Sequence, residues 1–421
     1  MKRIVIAVVL LALYNLLSSS IVFSQGSLTP PGAPARTMKT LQQVEPRIDL
    51  LNAPATAVDT NSTDYNFIIN QPGSYYLSAN LLVTKTNGIQ INAEGVTLDL
   101  NGFEISRASG AGGAGVDILA TGHRASVRNG SIKGFGYGIR TVASVTGYPR
   151  NCAFRDLAVS FCTNTGIFAG ESAVLESCRA HDNSGFAGIL AHTGSSLSNC
   201  TASNNSASNA IFANGGSSLN NCTAASNTGT YAFYIGTGSS LTNCSALSNQ
   251  SSAGSSAAFR TEAGCTISHC TASYTANTTA TATPTTGMGF DISANSIVEN
   301  CNASSNKGDG IHILSETVAR DNICSGNGSG AGNGAGIHAI AFGNRIEGNN
   351  LTGNDRGLDV DNIANIITRN TARGNTTNYD IVANNFFGAI VDRTSGVALP
   401  VTGNSAPTSI GTTDPWANIA Y

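Results

Sequence analysis

From about residue 61 onward the apolar residues of this chain recur in twos. Val96-Thr97-Leu98-Asp99-Leu100, Ile311-His312-Ile313 and Leu358-Asp359-Val360 each alternate apolar and polar or acidic side chains. Alternation with period two marks a strand with one buried face, and helical spacing is absent from these runs. The runs are three to five residues long and lie between clusters of Gly, Asn and Ser, the residues of tight turns. They also repeat. Asn199-Cys200-Thr201-Ala202-Ser203-Asn204-Asn205 returns as Asn221-Cys222-Thr223-Ala224-Ala225-Ser226-Asn227 and as Asn243-Cys244-Ser245-Ala246-Leu247-Ser248-Asn249, a step of 22 residues. A unit of that size cannot bury its apolar face alone, so successive units must stack.

Aligning the Gly-or-Ala plus apolar step of each unit gives the inward positions Ile89, Val116, Ile139, Ile167, Ile189, Ile211, Phe233, Phe259, Phe290, Ile311, Ile337, Leu358 and Ile381. Short strands repeated every 21 to 31 residues predict an all-β fold, a parallel β-helix of about thirteen coils with terminal caps. At ~4.8 Å per coil the rod is roughly 60 Å long. Upstream, Met38, Leu41, Val44 and Ile48 stand at near-helical spacing and predict a capping helix. Downstream, the only Trp, Trp416, reads as the anchor of a terminal cap.

Gln71-Pro72-Gly73-Ser74-Tyr75-Tyr76-Leu77, Val96 to Phe103, Arg128-Asn129-Gly130-Ser131-Ile132 and the Asn-Cys-Thr-Ala repeats together resemble the right-handed parallel β-helix proteins of the pectate-lyase-like superfamily, in particular its exported bacterial members. The resemblance covers about residues 61–392. It implies the fold, but not one activity, because that superfamily holds lyases, hydrolases, epimerases, esterases and adhesins. The Asn-Thr-Asp, Asp-Asp, Gly-His-Gly and Arg-Ile-Lys signatures of its polygalacturonase-type hydrolases are missing, as is the Asp-Pro-His-Asp of the alginate epimerases.

The first residues, Met1-Lys2-Arg3 followed by the apolar run Ile4 to Leu17 and then small polar residues, read as a secretory signal peptide cut after Ser24. The expected organisation is a signal peptide at 1–24, an N-terminal segment at 25–60, the β-helix at 61–392 and a C-terminal tail or cap at 393–421. The mature chain is expected to be exported to the periplasm, cell surface or medium, without a membrane span and as a monomer. Charged residues make up 11% of the chain, against ~25% in typical soluble domains, and the net charge is −3. No basic footprint exists, which argues against nucleic acid as a partner. Of the ten cysteines, Cys178, Cys200, Cys222, Cys244, Cys270 and Cys301 share one slot of the repeat, which Asn322, Asn349 and Asn370 take over later. A slot that accepts Cys or Asn reads as a buried inward ladder of free thiols. Cys152, Cys162, Cys265 and Cys324 lie off it and are the places expected for any disulfide.

Residues following the inward positions point outward. That column runs Arg140, Phe168, Leu190, Phe212, Tyr234, Arg260, Asp291, His312, His338, Asp359. Its last part is the candidate site. Asp291, His312, His338 and Asp359 could supply general acid and base, with Arg260 holding a sugar carboxylate and Tyr234 and Phe212 stacking on sugar rings. The stacked His and Asp could instead take a transition metal, and Ca²⁺ is compatible with the carboxylates, although no dedicated cofactor motif is present. The same residues also fit an ordinary solvated face whose charges offset one another, and the apolar stripe fits a surface covered by a loop or by the tail. A second outward column contains Arg155–Glu176 and Glu299-Arg320-Glu347, which read as a structural ladder. From Asn183 to Phe259 there is no Asp, Glu, Lys or Arg, so chemistry is confined to the ends. Hydroxyl rows such as Thr201, Thr223, Ser245 and Thr271 suit adhesion to glycans and are a minor match to ice contact, hydroxyl residues being also the default filler of exposed strand positions. The reading is an exported module that binds a polysaccharide or cell-surface glycan or serves structurally, with a polysaccharide lyase, epimerase or hydrolase as the alternative.

Overall fold

The computed structural model describes residues 47–107, 112–145, 147–251, 255–277, 286–328, 334–392, 394 and 413–421. The expected signal peptide and all of the expected capping helix except Ile48 lie outside them. Ile48 itself belongs to the strand Ile48–Asp49, which pairs in parallel with Tyr75 and Tyr76. Gly73 opens the strand Gly73–Tyr76.

Each coil of the repeat contributes three short strands. One coil reads Ser196–Ser198 on a first face, Thr201–Ser203 on a second and Ser206–Ala213 on a third. Each strand pairs in parallel with its counterpart one coil on, as in Leu197 with Leu219, Ala202 with Ala224 and Ile211 with Phe233. The third face is a sheet of fifteen strands, parallel throughout except for Val58–Asp59 at its start. Its inward column begins one coil earlier than the aligned repeat, at Phe67, and its last member is Tyr379; Ile381 pairs with Val360 and sits two residues further along.

Why 22 residues make one coil follows from the corners. Gly194, Asn199 and Asn204 all adopt positive φ, at 72°, 54° and 53°. One left-handed residue turns the chain sharply, and Asn tolerates that conformation better than most side chains. The residue after each turn, Ser195, Cys200 and Asn205, points inward and is buried. The Asn-Cys-Thr-Ala-Ser-Asn-Asn phrase is therefore turn, ladder, out, in, out, turn, ladder.

The three inward ladders satisfy the buried backbone that the turns would otherwise leave unpaired. In one of them Asn183, Asn205, Asn227 and Asn249 stack: the Asn205 backbone N–H and side-chain amide both donate to Oδ1 of Asn227, at 3.0 and 2.9 Å, and the Asn205 amide also reaches the carbonyl of Ala180. Gly188 makes room, since a Cβ there would meet the Asn205 amide at 3.0 Å. Between the ladders the core is apolar. Small residues line the second face (Ala202, Ala224, Ala246), while Phe233, Phe259 and Phe290 fill the third, stacked at 4.6 and 4.8 Å.

All ten cysteines are buried and free. The four expected to host any disulfide carry none: Cys162 begins the Asn183 ladder, Cys265 sits in the ladder of Ser195, Ser217 and Ser239, and Cys324 is a core residue of the second face beside Ala303. Burial pushes the Cys152 thiol up to about 11 and the Cys162 thiol up to about 12. The native protein is therefore expected to leave all ten thiols unreacted with Ellman's reagent at pH 8 and to expose ten in guanidinium; rapid reaction of two or more native thiols contradicts the ladder assignment.

At the C-terminal end the strand Asn418–Ala420 pairs with Ile390–Asp392 and with the second face at Thr371 and Ala372. Asn418 is fully buried and continues the Asn349–Asn370 ladder. It anchors the cap that the sequence assigns to Trp416, whose ring is 51% exposed and lies under the Arg369 guanidinium.

Candidate functional site

Strand pairing places the outward residues of the third face in one column: Gln90, Asp117, Arg140, Phe168, Leu190, Phe212, Tyr234, Arg260, Asp291, His312, His338, Asp359 and Asp380. Consecutive members stand ~4.8 Å apart. All seven residues singled out in the sequence lie in it.

Its polar end is not a solvated face. Asp291, His312, His338 and Asp359 are 3%, 6%, 8% and 2% exposed. Buried ionisable groups are tolerated only when paired, and here each one is. His312 Nδ1 lies 2.9 Å from Asp291 Oδ1, and Arg260 pairs with the other oxygen of that carboxylate. Desolvation would raise the Asp291 carboxyl, but the His312 hydrogen bond and the charges of His312 and Arg260 outweigh it and hold it below the usual range. On the next coil His338 Nδ1 lies 2.9 Å from Asp309, a carboxylate fully buried in the turn ahead of His312. His338 Nε2 faces Asp361 at 3.0 Å and Asp359 at 3.8 Å. Burial disfavours its charge, yet the hydrogen bond and charge of Asp309, with Asp361 and Asp359, raise its pKa to about 9. Asp359 pairs in turn with Arg356, and its own carboxyl is raised, chiefly by burial. The two imidazoles meet edge to face at 5.5 Å.

Two imidazoles on adjacent coils are thus each oriented through Nδ1 by a buried carboxylate; the Nε2 of His338 is engaged by Asp361, whereas that of His312 is left for other work. His312 Nε2 makes no hydrogen bond among the described residues. The site is edged by half-buried Arg260 and Arg356 and by exposed Asp361 and Asp380. Arg260 is already engaged by Asp291, so it is not the free carboxylate clamp that the sequence suggests. Asp309, Arg356 and Asp361 lie outside the aligned column, and column reading therefore misses them; the Gly308-Asp309-Gly310 turn is their one sequence signal. His338, Asp359 and Asp361 bring one donor atom each within 4.8 Å of one another, a spacing that could hold a metal ion. Arg356 on Asp359 and the proton on His338 already supply the positive charge there.

Immediately before Arg260 in the column, the apolar stripe Phe168, Leu190, Phe212 and Tyr234 is half-buried. Phe212 and Tyr234 stack at 4.8 Å with 3° between their planes, Phe186 leans on Phe212, and the Tyr234 hydroxyl donates to Glu262 at 2.9 Å. Tyr148 covers Phe168 at 5.4 Å. The start of the column holds a second, fully satisfied polar cluster: Arg140 grips the buried Asp117 through two 2.7 Å bonds, and the Tyr65 hydroxyl donates to it at 2.8 Å. Burial, then that carboxylate, pushes Tyr65 up to about 12. In the second column Arg320 pairs with Glu299 as expected, whereas Glu347 pairs with Arg345 and Arg369 in place of Arg320.

A continuous parallel solenoid with a polar outward column on one face defines a right-handed parallel β-helix repeat protein. Residues 145–291 and 209–377 match the family described as right handed beta helix region, together more than half of the chain. The chain belongs to that family. Among solved structures it is similar to the A-module of the Azotobacter vinelandii mannuronan C-5 epimerase AlgE4, at 14% identity over 75% of this chain and 91% of that one, with a TM-score of 0.46. It is also similar to the periplasmic alginate epimerase AlgG (11% identity, 76% and 82% covered, TM-score 0.37) and to pectate lyase Pel9A (14%, 74% and 70%, 0.35). No curated protein sequence matches the chain. Among the described residues no helix is long and apolar enough to cross a membrane.

Proposed function

We propose that the protein is exported as a monomer, binds a polysaccharide along its third face and acts on it by acid–base chemistry at the C-terminal coils. The observation that carries this reading is the continuity of one column: the stacked, half-exposed Phe212 and Tyr234 lead directly into Arg260 and the two carboxylate-oriented imidazoles. Aromatic faces suit the apolar faces of sugar rings. Beyond them, His312, oriented through Nδ1 by Asp291, offers an Nε2 that bonds to no described residue as the base, and His338, paired through Nε2 with the exposed Asp361, supplies the acid through that pair. That pairing of roles fits lyase, epimerase or hydrolase chemistry alike. A binding module that retains glycan without turnover is the second reading, favoured by how little of His312 and His338 reaches the surface.

The test is a panel of acidic and neutral polysaccharides, scored for retention, for release of reducing or unsaturated ends and, by NMR, for inversion at the uronate C-5, with and without Ca²⁺. Turnover that falls at least a hundredfold in His312→Ala and His338→Ala, with retention kept, is the expected result. Turnover unchanged in both variants sinks the acid–base assignment, and retention with neither release nor epimerisation by the wild type leaves the binding module.

A further inference from the structure

The described arginines and lysines of this protein, with one exception, have a partner: a carboxylate, a carbonyl or an aromatic ring, or in the case of Lys307 another contact. The exception is Arg179. It lies on the outward side of the second face, between Ala158 and Thr201. Its neighbour Glu176 is taken by Arg155.

Arg179 opens onto a groove of about 560 Å³ at the corner between the first and second faces. The groove exists because the coils change shape there. Ser126–Lys133 and Ala153–Ser160 run through the corner as single strands, whereas the following coil divides into Val174–Glu176 and Arg179–His181. The turn residues Asn129, Asp156, Ser177 and Asn199, all at positive φ, line it, with Thr201 beside Arg179. Asp156 makes no ion pair or side-chain hydrogen bond either. The volume falls within the ~300–1,000 Å³ of small-ligand sites.

We propose that this groove is a second binding site, separate from the third-face column, for a short acidic oligosaccharide. A planar guanidinium with its donors free matches a sugar carboxylate in two parallel hydrogen bonds. Asp156 accepts from sugar hydroxyls, and the Asn, Ser and Thr side chains around it both donate and accept. A neutral sugar leaves Arg179 unused, and a bare anion leaves the hydroxyl and amide rows unused. The left-handed turns stack one per coil, so the polar groups repeat along the groove at ~4.8 Å, an array suited to a chain ligand.

Isothermal titration of the full chain with trigalacturonate, and with maltotriose as the neutral counterpart, tests the assignment. Trigalacturonate is expected to show a binding step that weakens at least tenfold in Arg179→Ala and keeps its wild-type affinity in His338→Ala, and maltotriose to bind in that step at least tenfold more weakly than trigalacturonate. Arg179 is exposed and unpaired, so its removal leaves the fold intact, and equal thermal midpoints check this. Absence of trigalacturonate binding, no step weakened in Arg179→Ala, or equal affinity for maltotriose overturns the proposal. Loss in His338→Ala alone assigns the ligand to the third face.

Discussion

Replacing Asn227 by alanine is expected to lower the unfolding free energy by about 4 kcal/mol. Its side chain accepts from the Asn205 backbone N–H and amide and donates to the Ala202 carbonyl and to Asn249, all within 2.9–3.0 Å. Truncation takes their side-chain partner from the buried Asn205 N–H and Ala202 carbonyl and removes one of the two bonds made by the Asn205 amide and by Asn249 Oδ1; each orphaned group costs about 1–3 kcal/mol, offset in part by relaxation. The matched control is Asn220→Ala, an exposed outward residue one strand away, with an expected change within ±0.5 kcal/mol. Guanidinium denaturation followed by circular dichroism reads both. A loss below about 1 kcal/mol for Asn227→Ala would mean that the ladder is not what holds the coils in register.

The second large effect is expected at Asp309. Its Oδ2 holds His338 Nδ1, and its Oδ1 accepts from the Ala335 backbone N–H at 2.7 Å. Asp309→Asn keeps the shape and can keep that backbone bond but removes the charge, and losing one partner of a buried pair costs about 3–5 kcal/mol. The pH profile separates this from simple loss of packing. His338 titrates at about 9 in the folded chain, above its ordinary 6.5, so its interactions contribute fully below pH 6.5 and are lost as pH rises through 9. The wild-type protein should therefore lose on the order of 2–3 kcal/mol between pH 6.5 and 9, and Asp309→Asn should lose much less across that window. By NMR the His338 imidazole should titrate at least one unit lower in the variant. An unmoved titration would show that Asp309 does not set the charge of His338.

The architecture was legible because the repeat is dense in information. Cys200, Cys222 and Cys244 align without gaps, and the alternation around Ile211, Phe233 and Phe259 fixes which side chains turn inward. What the sequence could not convey is that outward differs from exposed. Side-chain direction along a strand alternates locally, whereas cover comes from residues far along the chain; Asp291 and His312 accordingly look like a solvated face until Arg260 and the surrounding coils are in place. Asp309 and Arg356 stayed hidden for a related reason. They sit in turns or at a strand end, off the period, and reach the column only through the three-dimensional path of the corner. In the final coil the inward residue is Tyr379 and not Ile381: Tyr379 breaks the Gly-or-Ala plus apolar pattern, following Asn378, while still packing against the core.

The uncharged coils between Asn183 and Phe259 acquire a meaning from the ladders that hold them. Each corner side chain bonds mainly to its counterparts one coil away, so a whole coil can be gained or lost without altering the partners available to the rest. Two clusters of charge, one around Asp117 and one around Asp309, lie on either side of this stretch. The protein is in that sense a graduated spacer: the interval between its two charged ends is adjustable in increments of ~4.8 Å, one gene-level duplication or deletion at a time, while the chemistry at either end stays as it is.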